Sequence, residues 1–199
     1  IQGESNKELP SGEQTVILNE SKYLAIKNDV NVQYLNNGSN IVGKIFGLIW
    51  SFSNYKKIIK FIDIYNPNVL HFHTVFPYLS LSVFFAARKK NVKIVQTLHN
   101  GRLICIEGGF ARKGKYCDKC VGNFGLSGVL YGCKKGRLVS LLLVINNLIF
   151  RYLQHNIHIV NKFICVSDFI KEKHLMSGFL NEELTVNNNG IDIELIENI

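Results

Sequence analysis

The sequence predicts an α/β protein: a Rossmann-like parallel sheet with helices on both faces, carrying a basic, cysteine-rich loop as an insertion. Three observations predict it. Strand-like and helix-like apolar runs alternate along the 199 residues. Apolar residues make up 47% and charged residues 19%, with only 3 Pro, so one domain can bury a sizeable core and disorder is excluded. Polar side chains recur where the strand-like runs end, the edge at which parallel sheets collect ligands.

The elements follow in order. Residues 12–28 carry apolar side chains at helical spacing with Glu20 and Lys27 on the wet side, and VNVQYL (30–35) alternates as a strand should. NNGSN (36–40) reads as loop, 41–51 as an apolar helix, and NYKKIIKFIDIYN (54–66) as an amphipathic helix stopped by Pro67. NVLHFH (68–73) is a buried strand, Pro77 opens a helix reaching Lys90, and KIVQTLH (93–99) is the next strand. After an interruption at 100–136 come an apolar helix from Arg137 to about Gln154, strand KFICVS (162–167), a helix over 168–177 and strand ELTVNNN (183–189). Within that apolar helix the run LVSLLLVINNLIF is broken by Asn146 and Asn147 and is too short to span a bilayer. It is expected to be a buried crossover helix, the alternative being one that lies against a membrane surface.

These strand ends gather His73 with Thr74, His99 with Asn100, Ser167 with Asp168, and the Asn187 to Gly190 turn. His99 closes a strand and is followed by Asn100, Gly101 and Arg102, which can face one cavity, so it is a candidate functional histidine. His71 shares a face with His73 and is expected to be buried. Near the start, Pro10-Ser11-Gly12-Glu13 precedes the first helix. A glycine there lets the backbone approach a phosphate and offers it unpaired N–H groups.

Cysteine usage is the sharpest local signal. Cys105, Cys117, Cys120 and Cys133 lie in one segment as C-x11-C-x2-C-x12-C, while Cys165 sits alone in an apolar strand as core packing. The spacing suits a structural Zn²⁺ site. Reduced buried thiols, a disulfide pair and an iron–sulfur cluster are the alternatives. From Arg112 to Arg137 seven basic residues face the single acid Asp118, a local net charge of +6 within a chain total of +8. Such a segment, expected to lack a core of its own, would need a staple such as a metal. Its charge suits a diphosphate or an anionic membrane surface. Nucleic acid is the weaker partner, because only 5 of the 23 basic residues are Arg. The opening Ile1 and the polar run behind it carry no secretory or transit signal, so a cytoplasmic protein with its true start missing is expected.

The ordered set PSGEQ (10–14), PNVLHFHTVFPYLS (67–80), VQTLHNGRLIC (95–105), KYCDKCVG (115–122), CKKG (133–136), FICVSDFIKEK (163–173) and VNNNGID (186–192) resembles the N-terminal half of bacterial glycosyltransferase family 4 enzymes. The resemblance implies a GT-B enzyme of two Rossmann-like domains, retaining at the anomeric carbon and metal-independent in its chemistry. Residues 1–199 would be its acceptor-binding domain, with 103–136 as a zinc loop, and the nucleotide-sugar domain would lie outside this chain. Carried over, Gly12 approaches the donor diphosphate and His99 contacts the transferred sugar. His73, Asn100 and Arg102 line the acceptor side. The implied partners are a nucleotide sugar and a glycan or lipid-linked acceptor in bacterial surface polysaccharide synthesis, at the cytoplasmic face of the cell membrane. Two departures stand out: IQGESNKELP replaces the usual first strand, which is expected to be missing, and the chain stops just past NNNGID, so transferase activity is not expected from it alone. The rival reading is a non-catalytic, zinc-stapled basic module that binds a phosphate-bearing partner.

Overall fold

A computed structural model describes residues 1–3, 12–35, 49–76 and 79–190. The loop expected at 36–40, most of the helix expected at 41–51, and Pro77 lie outside these residues. The central sheet is parallel throughout, in the order β3 (Val69–Phe72), β4 (Lys93–Leu98), β7 (Lys162–Cys165), β8 (Leu184–Val186). Val69 pairs with Lys93, Val95 with Lys162 and Phe163 with Leu184.

The first strand is not missing. Gln2–Gly3 forms a short β1, parallel to β2 at Tyr34–Leu35. Ile1 joins this pair to the main sheet: its amine donates to the His71 carbonyl, and its own carbonyl accepts from His73 N–H at 2.9 Å. That is the parallel bonding pattern, so the strands run β2-β1-β3-β4-β7-β8. Of the strand expected over 30–35, Tyr34–Leu35 pairs with β1 among the described residues. Going outward from β1, the chain places β2 on one side and β3 on the other. This reversal makes the carboxyl end of β1 and β3 a topological switch point, where open parallel sheets bind ligands.

Helix α1 (Gly12–Leu24) follows β1, and α2 (Phe52–Tyr65) precedes β3. Ser51 caps α2 by accepting from Asn54 N–H, and Asn66 closes it in the left-handed region at φ 41° just ahead of Pro67. Helix α3 (Ser82–Lys89) leads into β4, α5 (Arg137–Ile157) into β7, and α6 (Asp168–Leu175) toward β8 by way of a 3₁₀ turn at Asn181–Glu183. Ser167 leaves the strand early to cap α6, accepting from Ile170 N–H at 3.3 Å, which is why β7 is shorter than KFICVS.

The core is an aromatic file across β3, α3, α5 and β7. Phe72 meets Phe84 at 5.1 Å, Phe84 meets Phe150 at 5.6 Å, and Phe150 meets Phe163 at 6.2 Å, all four fully buried. Each of β3, β4 and β7 buries alternate residues on this face. The opposite face carries His71, Val95 and Thr97.

Two expectations about the interruption change. Helix α5 runs for 21 residues, longer than the apolar run suggested and long enough by length and composition to cross a membrane. Its inward face is polar as well as apolar: Asn147 donates to the Arg102 carbonyl at 2.7 Å, and Gln154 donates to the Val160 carbonyl and to Glu183. Those bonds seat it on the domain. The cysteine segment, expected to lack a core of its own, packs its apolar side chains into the core of the domain. Leu103, Ile104, Ile106 and Phe110 are buried with Cys105 and Cys120. The ring of Phe110 fills the space beside Gly101, where a Cβ would come within 2.3 Å of it. A hairpin of β5 (Ala111–Arg112) and β6 (Lys115–Tyr116) turns through Lys113-Gly114, both at positive φ, and a short α4 (Leu126–Leu130) follows.

Candidate functional site

The site grows from three local facts: β3 and β4 end side by side at the switch point, α1 begins beside them, and the chain turns sharply after β4. His71 and His73 alternate on β3 and therefore project to the same face, where their rings lie 4.3 Å apart. His73 Nδ1 meets His99 Nε2 at 3.0 Å, with the two rings stacked at 5.3 Å. His71 Nε2 meets Thr97 Oγ1 at 2.7 Å.

Helix α1 supplies two carboxylates to this face. Glu13, Ile17 and Glu20 fall at spacings of four and three, one helix stripe, and Ile17 is the buried residue of that stripe. Glu20 was expected on the wet side. It instead faces the histidines, with Oε1 3.7 Å from His71 Nδ1 and Oε2 3.6 Å from His73 Nε2. Glu13 Oε2 accepts from the Thr74 hydroxyl, and its Oε1 accepts from Asn100 Nδ2 at 3.2 Å. Asn100 Oδ1 in turn accepts from Arg102 N–H at 3.1 Å. Both ends of the Asn100 amide are thus committed, and the Glu13 carboxylate is held by two neutral donors beside the start of α1.

Burial keeps these imidazoles neutral. It lowers His71 to about 4, lowers His73 further, and lowers His99 against a smaller opposing pull from Glu13. Burial also raises the Glu20 carboxyl. With both rings neutral, one proton lies between His73 Nδ1 and His99 Nε2, and each ring carries one N–H.

Four of the residues expected at the site, His73, His99, Asn100 and Arg102, line a single cavity of about 20 Å³, the size of one water, together with Thr74 and Gln96. Arg102 Nε and Gln96 Oε1 are buried there with no hydrogen-bond partner among the described residues. Gly12 is exposed at the start of α1, and among the described residues a Cβ added to it would meet nothing within 4 Å.

The cysteines are a separate matter. All five are free. Cys105 and Cys120 are hydrogen-bonded to each other. That bond, aided by backbone bonds at Glu107, Gly108 and Phe110, lowers Cys105 to about 6, and it raises its partner Cys120. Burial raises Cys133, as do the charges of Cys105 and Cys117 nearby. The four sulfurs do not close on one point. Among the described residues, the group whose ligand atoms all lie within 4.8 Å of one another is Glu20, His71 and His73.

A sequence model of glycosyltransferase family 4 matches residues 15–195. The chain belongs to glycosyltransferase family 4. No curated protein matches it significantly. Family membership carries a nucleotide-sugar donor and an acceptor as the ligands in general. The matched span of this family 4 domain holds β3, β4 and the histidines, while Gly12 and Glu13 lie just ahead of it. Sequence reasoning missed Glu13, Glu20 and the part played by Thr74. The available signal was the Glu13–Ile17–Glu20 stripe, one apolar residue between two acids on the face that must meet the sheet.

Proposed function

We propose that this family 4 domain is the acceptor-side half of a retaining GT-B glycosyltransferase, working in bacterial surface polysaccharide synthesis at the cytoplasmic face of the membrane. A second domain that holds the nucleotide would complete it, and the present chain would not turn over alone. The observation that carries the reading is the His73–His99 bond at the switch point, beside the N-terminus of α1. When His73 donates from Nδ1, His99 keeps its proton on its other nitrogen and can donate to a hydroxyl of the transferred sugar. A neutral imidazole suits this role, since an imidazolium would oppose the positive charge that develops on the transferred sugar. The backbone N–H groups at Gly12 would take the diphosphate, while Glu13 is turned to Thr74 and Asn100. A water in the small cavity would give Arg102 Nε and Gln96 Oε1 their partner.

The cysteine quartet is proposed as a Zn²⁺ site, supported by four free thiols and by the backbone bonds to the Cys105 and Cys120 sulfurs. Cys117 and Cys133 would have to close onto that pair. The reading as a purely basic module draws less support, because Arg112 and Lys119 both lie over the Tyr131 ring, at 3.7 and 5.4 Å.

The test is sugar transfer by the two-domain polypeptide. His99→Ala should lower kcat about 100-fold while changing donor KM little, because a bond that strengthens with developing charge acts on the transition state. A folded His99→Ala enzyme with unchanged kcat would overturn the assignment.

A further inference from the structure

Glu20, His71 and His73 meet the requirements of a metal centre without the cysteines. Two imidazoles and one carboxylate suit a divalent first-row transition ion. The edges of a tetrahedron of N and O ligands about 2.1 Å from an ion are about 3.4 Å. Here Glu20 Oε1 lies 3.7 Å from His71 Nδ1 and Oε2 3.6 Å from His73 Nε2, and one ligand atom from each of the three residues lies within 4.8 Å of the others, so an ion would draw them together. The second nitrogen of each histidine is already engaged: His71 Nε2 by the Thr97 hydroxyl, His73 Nδ1 by His99. Such outer partners fix the ring and tautomer of metal-ligating histidines. The three side chains are partly to fully buried, with 28%, 22% and 6% exposure.

We propose that Glu20, His71 and His73 bind one divalent transition-metal ion on the face of the sheet behind the His99 cavity. The consequence for the site is a proton assignment. An ion on His73 Nε2 leaves the ring proton on Nδ1, where it donates to His99 Nε2. His99 must then carry its own proton on Nδ1, the form able to donate to a ligand. The ion would act as a positioning device, and the inference stands apart from sugar transfer, because metal binding is read without any turnover.

The experiment titrates the metal-freed 199-residue chain with Co²⁺, following visible absorption and calorimetry. Near-ultraviolet thiolate-to-cobalt bands report the cysteine quartet. Imidazole and carboxylate coordination gives visible bands without them. The expected result is one Co²⁺ equivalent of the second kind, displaced by Zn²⁺, whose affinity falls at least about 10-fold in Glu20→Gln and His71→Asn and about 10-fold in the outer variant Thr97→Val. Circular dichroism checks the fold of each, and the near-isosteric Thr97→Val covers the case in which His71→Asn does not fold. Imidazole ¹⁵N spectra with Zn²⁺ should show His99 protonated at Nδ1. Binding that is absent, entirely thiolate in character, or unchanged in Glu20→Gln and Thr97→Val would overturn the proposal and leave the glycosyltransferase reading untouched.

Discussion

His174 shows how one buried side chain couples this fold to pH. It is fully buried in α6, bonded at Nδ1 to the Ile170 carbonyl at 2.7 Å, with no partner for Nε2 among the described residues and Phe179 5.1 Å away. Burial lowers its pKa to about 4, with a further push from Arg151, against the raising effect of the Ile170 bond. The folded value lies below the unfolded one of about 6.5, so the unfolded chain binds the proton more readily. Its stabilisation is complete above about pH 6.5, drains as pH falls toward 4, and totals about 3 kcal/mol. Urea midpoints at pH 7.5 and pH 5 should therefore differ less in His174→Leu than in the unsubstituted chain. An equal difference would remove His174 from the account. At this scale the sequence was partly readable. His99, His73, Asn100 and Arg102 could be placed because a parallel sheet sends its strand ends to one edge. Glu20 could not, since a carboxylate on an amphipathic helix looks solvated until the imidazoles opposite it are known.

Helix α5 presents two unlike faces. Inward lie Ser140, Asn146, Asn147 and Gln154 beside Leu143, Val144 and Phe150, while Leu138, Leu141, Ile145, Ile149 and Tyr152 form an exposed outward stripe at helical spacing. Lys134, Lys135 and Arg137 stand at its N-terminal end. This is the surface we expect to meet an anionic membrane, with about 1 kcal/mol from each basic residue near the lipid. Liposome sedimentation should show binding that requires anionic lipid, falls as salt rises, and weakens in Ile145→Glu. Equal binding to neutral vesicles would rule out the basic residues as its cause. Element identity was legible here, but polarity was not. An apolar run with two Asn reads as a buried helix with defects, whereas Asn147, with Gln154 further along, bonds the helix to the domain. The first strand escaped notice for a different reason: Gln2–Gly3 is defined by its neighbours' backbone, not by any apolar pattern of its own.

At the scale of the molecule, the parallel arrangement was the most legible feature, because alternating runs leave few other ways to bury both faces of a sheet. The same arrangement sets how the chain must find its fold. Val95 pairs with Lys162, so the centre of the sheet closes a loop of 67 residues, and the cysteine segment lies inside it. Closing so long a loop is slow, because its entropy is spent before the contacts form. A segment that first folds around Phe110 and the β5–β6 hairpin shortens the loop that remains. Halving the effective length is worth about 0.6 kcal/mol, or about a threefold gain in the rate of pairing. Stopped-flow refolding of Phe110→Ala should therefore be slower by about that factor, whereas a variant that changes only the unfolding rate would show that the segment forms after the sheet. On the first outcome the insertion beside the His99 corner would act as a clamp that brings the two halves of the central sheet within reach of each other.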